Sequence, residues 1–206
     1  MYSIPVDKVD RDFRCATRDR FFPFAPGELL PFDVTPGQAW KIDRTEIYAD
    51  FLPFYGPEQQ HIRTAQLDIQ NSSARAMIIV NPASCPGHFL GEAVVPGFNL
   101  GEPAAQLLAL LLTAQLCPTS RGKCGGVLLQ GGSTLPRRPI LPGEEFQLYL
   151  RWHNRPDFPQ EVTSEVGYAA AYNSEGKLCT ILGVQGIPID AERRALSFRQ
   201  LLEMCS

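Results

Sequence analysis

Histidine is scarce in this chain, with three among 206 residues, and none of the six cysteines (Cys15, Cys85, Cys117, Cys124, Cys179, Cys205) forms a Cys-x-x-Cys pair. Without those spacings no structural or catalytic zinc site is expected. There is no long hydrophobic run. The longest uncharged apolar segment, Ala104–Leu116, has 13 residues, too few to span a bilayer, so no membrane association is expected. No polybasic run occurs and the formal net charge is −3, which gives no reason to expect nucleic acid or an anionic lipid surface as partner. Met1–Arg14 is charged and lacks an apolar stretch of the secretory type. The cysteines therefore read as reduced thiols and the protein as cytoplasmic. Gly-x-Gly-x-x-Gly and Walker loops are absent as well, which disfavours nucleotide binding.

Enough apolar material is present for a core: hydrophobic residues make up 44% of the chain, which at this length supports one sizeable domain. Its centre is the stretch from His88 to Leu116. A loop punctuated by glycine and proline carries His88. Fourteen residues later Glu102 stands at the mouth of the most apolar segment in the protein. That segment reads as a helix buried inside the domain. Both side chains can hold or release a proton near neutral pH once their surroundings shift them.

Residues 1–37 read as a Pro- and Phe-rich arm packed on a hydrophobic surface, residues 38–189 as a single domain, and residues 190–206 as a closing helix capped by Asp190. Within the domain a strand is expected at Ala39–Asp43, and Glu46–Leu52 fits helix or strand equally. Two strands are expected at Ile62–Ile69 and Arg75–Val80, joined by a turn at Asn71-Ser-Ser. After the helix, Gly126–Gln130 reads as a strand and 133–143 as an irregular connection. Glu145–Trp152 alternates like a half-buried strand, and Thr163–Tyr172 with Lys177–Ile187 reads as a hairpin turning at Asn173-Ser-Glu-Gly. This order is α+β, with an antiparallel sheet curling around one long central helix.

The pattern His88-Phe89, Gly91, Pro96-Gly97, Glu102 and Gln106 resembles that of the hot-dog β-hydroxyacyl-acyl carrier protein dehydratases of the FabZ and FabA type. Arg137-Arg-Pro-Ile-Leu-Pro-Gly-Glu-Glu-Phe resembles the strand entry that the family carries after its central helix. The likeness covers about residues 62–188. It implies a hot-dog fold and dehydration of a 3-hydroxyacyl thioester, carried by acyl carrier protein or coenzyme A, to a trans-2-enoyl thioester, as in fatty acid or polyketide biosynthesis. His88 is then the base and Glu102 the acid. The backbone N–H of Gly97 binds the thioester oxygen, the Val94 carbonyl fixes the imidazole tautomer, and Gln106 supports the acid. The resemblance further implies a homodimer with shared active sites and no metal or organic cofactor. Leu90 and Pro103 depart from the common pattern, and Pro103 requires the helix to start near Glu102.

Each residue has a structural counterpart to its chemical role. His88 can be a loop histidine satisfied by carbonyls. Glu102 can close a capping box with Asn99, and a helix start favours the ionised carboxylate whereas a general acid must be protonated. Gln106 can contact acid or substrate, or be a buried amide satisfied by backbone. His61 and His153 stand in no motif and read as surface or structural, and Arg137 and Arg138 as a solvated pair. The rival activities are a hot-dog isomerase, a thioesterase, and a catalytically silent acyl-binding subunit.

Overall fold

The computed structural model describes residues 8, 39–53, 55–82, 94–116, 124–154 and 165–190. Strand β1 (Trp40–Asp43) leads into a short helix α1 (Arg44–Glu46), whose first turn is capped by Asp43 Oδ1 accepting from the Glu46 N–H at 2.9 Å. The chain then widens into a π-helical turn, Ile47–Phe51, with the Leu52 N–H reaching back five residues to the Ile47 carbonyl at 2.8 Å. The ambiguous 46–52 segment is therefore helical. It turns Ile47, Tyr48 and Phe51 inward, and Phe51 packs edge-on against Trp40, ring centroids 5.3 Å apart.

Strands β2 (Ile62–Asp68) and β3 (Ser73–Ile79) form the expected hairpin. A 3₁₀ turn, Gly97–Leu100, opens helix α2 (Gly101–Leu116). Strands β4 (Cys124–Pro136), β5 (Glu145–Asn154), β6 (Glu165–Asn173) and β7 (Leu178–Asp190) follow. The seven strands of the described residues lie in one antiparallel sheet of order β1-β2-β3-β5-β6-β7-β4. The chain leaves α2 to build the far edge, crosses to the middle with β5, then meanders back through β6 and β7 to close on β4.

Helix α2 lies against β2, β3, β4, β5 and β7. Ala104, Leu107, Leu108, Leu110 and Leu111 are fully buried and Ala109 and Ala114 nearly so. A helix apolar on all sides has to be enclosed, and the curl of the sheet encloses it. Phe146, Leu148 and Leu150 of β5, with Ala169 and Ala171 of β6, supply the facing core. The β6–β7 turn forms where Asn173-Ser-Glu-Gly predicts it. Asn173 Oδ1 accepts from the Glu175 and Lys177 N–H groups, and Gly176 takes the left-handed conformation, φ 70°, that glycine adopts without steric cost.

Two expectations are corrected. Residues 133–136 continue β4 because they pair with 180–183 of β7, so the irregular connection begins only at Arg137. Strand β5 is not half-buried: Gln147, Tyr149 and Arg151, on the side away from α2, are also buried. On that side Tyr149 meets Tyr172 edge-on at 5.8 Å, and the ammonium of Lys8, from the amino-terminal arm, sits 4.7 Å from the Tyr172 ring centroid. Asp190 ends β7, paired with Cys124. The remainder of the arm and of the expected closing helix, 191–206, lies outside the described residues.

Candidate active site

Glu102 is the second residue of α2 and is half-buried. Because the helix begins at Gly101, Pro103 falls in the first turn, where its missing N–H would have had no intrahelical partner. Proline at this position therefore leaves the carboxylate at the helix mouth. The capping role is not the one Glu102 performs. The Asn99 N–H, which a capping box would direct at it, donates to the Pro96 carbonyl at 2.9 Å. The carboxylate accepts instead from Gln106 Nε2 at 3.1 Å, one turn along the same helix face, and from the Tyr55 hydroxyl.

Gln106 is completely buried and its amide is fully engaged. Its Nε2 also donates to the Gln59 carbonyl at 2.7 Å, and its Oε1 accepts from the Tyr48 hydroxyl at 2.8 Å. Tyr48 in turn accepts from the Ile62 N–H at 2.8 Å. The residues come from four places: the π-helical turn (Tyr48), the loop after it (Tyr55, Gln59), the start of β2 (Ile62) and α2. The loop is itself pinned, with Gln60 Nε2 donating to the Tyr55 carbonyl at 3.0 Å and Arg44 donating to Gln60 Oε1 at 3.3 Å. Tyr48 and Tyr55 meet edge-on, centroids 6.4 Å apart.

His61 completes the cluster. It is 4% exposed, and its Nδ1 is buried with no partner among the described residues. Its own N–H donates to the Gln59 carbonyl at 3.0 Å. Burial pulls its imidazole below the ordinary value, against the opposing charge of Glu102 and a backbone contact at Ile79, so the neutral form is favoured. Burial, reinforced by the charge of Glu102 and the hydrogen bond to it, pushes the Tyr55 hydroxyl far above the usual phenol range. Burial also raises Tyr48, against the Ile62 hydrogen bond and the charge of Arg44. Both phenols are therefore neutral.

Glu102 and Gln106 thus come together, and the same amide is also satisfied by backbone at Gln59. Val94 is half-buried, with Val95 N–H donating to the Ile140 carbonyl at 2.8 Å, and Gly97 opens the 3₁₀ turn at the amino end of α2. His88 lies outside the described residues. Of the two readings of His61 the surface one is corrected: the ring is buried, within the electrostatic reach of Glu102. Arg137 and Arg138 are exposed, with their N–H groups bound to the Cys179 carbonyl at 2.7 and 2.9 Å. Tyr48, Tyr55 and His61 were not legible as site residues, because nothing in their local sequence ties them to a helix that begins some 40 residues later. Among the described residues no group of three or more His, Cys, Asp or Glu side chains could hold a metal ion, and no helix is long and apolar enough to cross a membrane.

An antiparallel sheet wrapped around one long buried helix is the hot-dog fold, and this chain has it. No known family model matches it. In sequence it is similar to the 3-hydroxyacyl-acyl-carrier-protein dehydratase FabZ of Acidiphilium cryptum (strain JF-5), with 33% identity over 73 residues, 35% of this chain and 44% of that protein. The match thus spans less than half the length of that relative. Among solved structures, Cj0977, a sigma28-regulated virulence protein from Campylobacter jejuni, superimposes with a TM-score of 0.49 at 10% identity, covering 72% of this chain and 91% of that one. The E. coli PaaI protein from the phenylacetic acid degradation operon gives a TM-score of 0.42 at 13% identity, covering 57% and 76%.

Proposed function

We propose that the protein dehydrates a 3-hydroxyacyl thioester to a trans-2-enoyl thioester. The observation that carries this reading is Glu102, held at the mouth of the buried helix by Gln106 and Tyr55, at the motif distance from His88. His88 takes the proton next to the thioester carbonyl. Charge gathers on the thioester oxygen, which the Gly97 N–H and the positive end of α2 stabilise. Glu102 gives its proton to the 3-hydroxyl, the carbon–oxygen bond breaks, and water leaves. Passage of the proton held by His88 back to Glu102 restores both groups. The Val94 carbonyl orients the other nitrogen of His88. The substrate is carried by acyl carrier protein or coenzyme A, in fatty acid or polyketide biosynthesis, and Cys179, a buried free thiol, suits the cytoplasm.

The proposed assembly is a homodimer in which His88 of one subunit works with Glu102 of the other. In support, β4 is a 13-residue edge strand that among the described residues pairs only with β7. An edge that long is a template for another chain. One observation favours a second reading: Gln106 and Tyr55 both direct hydrogens at the Glu102 carboxylate, an arrangement that also suits a carboxylate activating water in a thioesterase. Mass spectrometry of a 3-hydroxyacyl thioester on acyl carrier protein separates the two. Loss of water by the wild type, abolished in Glu102→Gln, supports the dehydratase. Release of free thiol supports the thioesterase, and water loss that survives Glu102→Gln removes the acid role from this residue.

A further inference from the structure

The hydrogen bonds around Gln106 have a direction that no rotation can reverse. The Ile62 N–H can only donate, so the Tyr48 oxygen accepts from it at 2.8 Å and its single proton goes to Gln106 Oε1, also at 2.8 Å. At the other end the Gln59 carbonyl can only accept, which requires the Gln106 NH₂ on that side, at 2.7 Å. Both ends fix the same orientation of the amide. A flipped Gln106 would set its oxygen against two other acceptors, the Gln59 carbonyl and Glu102 Oε1. The consequence reaches Glu102: Oε1 always meets an N–H donor, at 3.1 Å. Tyr55, whose hydroxyl can donate or accept, is the partner able to follow a change in the protonation of Glu102.

We infer that Tyr48 is a positioning residue for Glu102, acting through Gln106 to fix the plane of the carboxyl group and the side from which it is hydrogen-bonded. This rests on the reading above that Glu102 exchanges a proton with substrate. Tyr48 itself touches no reacting atom. Its hydroxyl is locked between a strand N–H and the helix amide, in a π-helical turn that carries it inward.

The test is Tyr48→Phe in the full-length protein, which removes one oxygen and leaves the amide held at its Gln59 and Glu102 end only. Turnover number and KM for a 3-hydroxyacyl thioester are measured across pH 5–9. The expected loss in kcat is about tenfold, the rate equivalent of one buried hydrogen bond, with KM changed less than about twofold and the pH profile displaced. Tyr149→Phe, which removes a hydroxyl on the side of the sheet away from α2, where it bonds to Gln147, leaves kcat and the profile unchanged. An unchanged kcat and profile in Tyr48→Phe overturns the inference. If Tyr48→Phe does not fold, 3-fluorotyrosine at position 48 keeps the hydroxyl but makes its proton more acidic; a displaced pH profile then supports the relay and an unmoved one overturns it. Should the wild type turn over no thioester, the reading of Glu102 fails separately. The relay is then read without substrate, from the carbon-13 carboxyl signal of Glu102 assigned by its loss in Glu102→Gln. A titration midpoint moved by about half a unit or more in the position-48 variant supports the relay, and a coincident midpoint overturns it.

Discussion

Replacing Gln106 and Tyr48 singly and together tests the buried chain by stability alone, with no assumption about activity. Tyr48→Phe removes one oxygen and leaves two buried groups unpaired, the Ile62 N–H and Gln106 Oε1. Gln106→Met keeps the volume but leaves one buried group unpaired, the Tyr48 O–H. The Gln59 carbonyl retains the His61 N–H, and half-exposed Glu102 can take water. An unpaired buried polar group costs about 1–3 kcal/mol. At roughly 1.5 kcal/mol for each, Tyr48→Phe should lose about 3 kcal/mol and Gln106→Met about 1.5 kcal/mol. The double variant has only the Ile62 N–H unpaired, so it should also lose about 1.5 kcal/mol, far less than the two single losses combined. Urea unfolding of all four proteins, with the m value checked for constancy, gives the coupling directly. Additivity to within about 0.5 kcal/mol would refute the chain as drawn.

Two further outcomes follow from burial. The His61 imidazole is held below its ordinary 6.5 by burial, so below that pH the unfolded chain takes up a proton that the folded protein refuses. The stabilising effect of the neutral ring is thus present above pH 6.5 and lost as pH falls toward the folded value. Thermal melts from pH 7.5 to 5 should show His61→Gln losing less stability than wild type on acidification, by up to about 1.4 kcal/mol per pH unit inside that window; equal slopes would mean that His61 is not buried as described. Leu108→Ala in the fully enclosed face of α2 should cost about 2.7–5 kcal/mol in guanidinium unfolding, because a packed core relaxes only partly around the lost atoms. A loss below about 1 kcal/mol would indicate that the helix is not enclosed by the sheet.

Local patterns carried much of the fold. The uncharged run Ala104–Leu116 announced a buried helix, and the sheet encloses it. Alternation found β5 on its inner side, since Phe146, Leu148 and Leu150 face α2. It could not show that Gln147 and Tyr149 are covered as well, because burial of polar side chains depends on what crosses the outer side of the sheet. The length of β4 was hidden for a similar reason. Ser133–Pro136 has weak strand character of its own, and pairing with β7 supplies what propensity lacks. In 46–52 the balance between helix and strand was settled by the Asp43 cap and the packing of Phe51 on Trp40.

By itself the sequence determined the α+β order, the buried helix, and the placing of Glu102 and Gln106 on one face of it, because a spacing of four residues is a property of any helix. Only the tertiary structure decided what Glu102 meets. Tyr48, Tyr55 and His61 lie 41 to 54 residues before it in the chain, and no periodicity links them to it. They reach the helix mouth because β2 runs beneath α2 while the π-helical turn folds over its amino end. The same packing gave Gln106 its orientation. A sequence can name an amide, but the side its oxygen faces is fixed by a strand N–H at one end of the chain of hydrogen bonds and a loop carbonyl at the other.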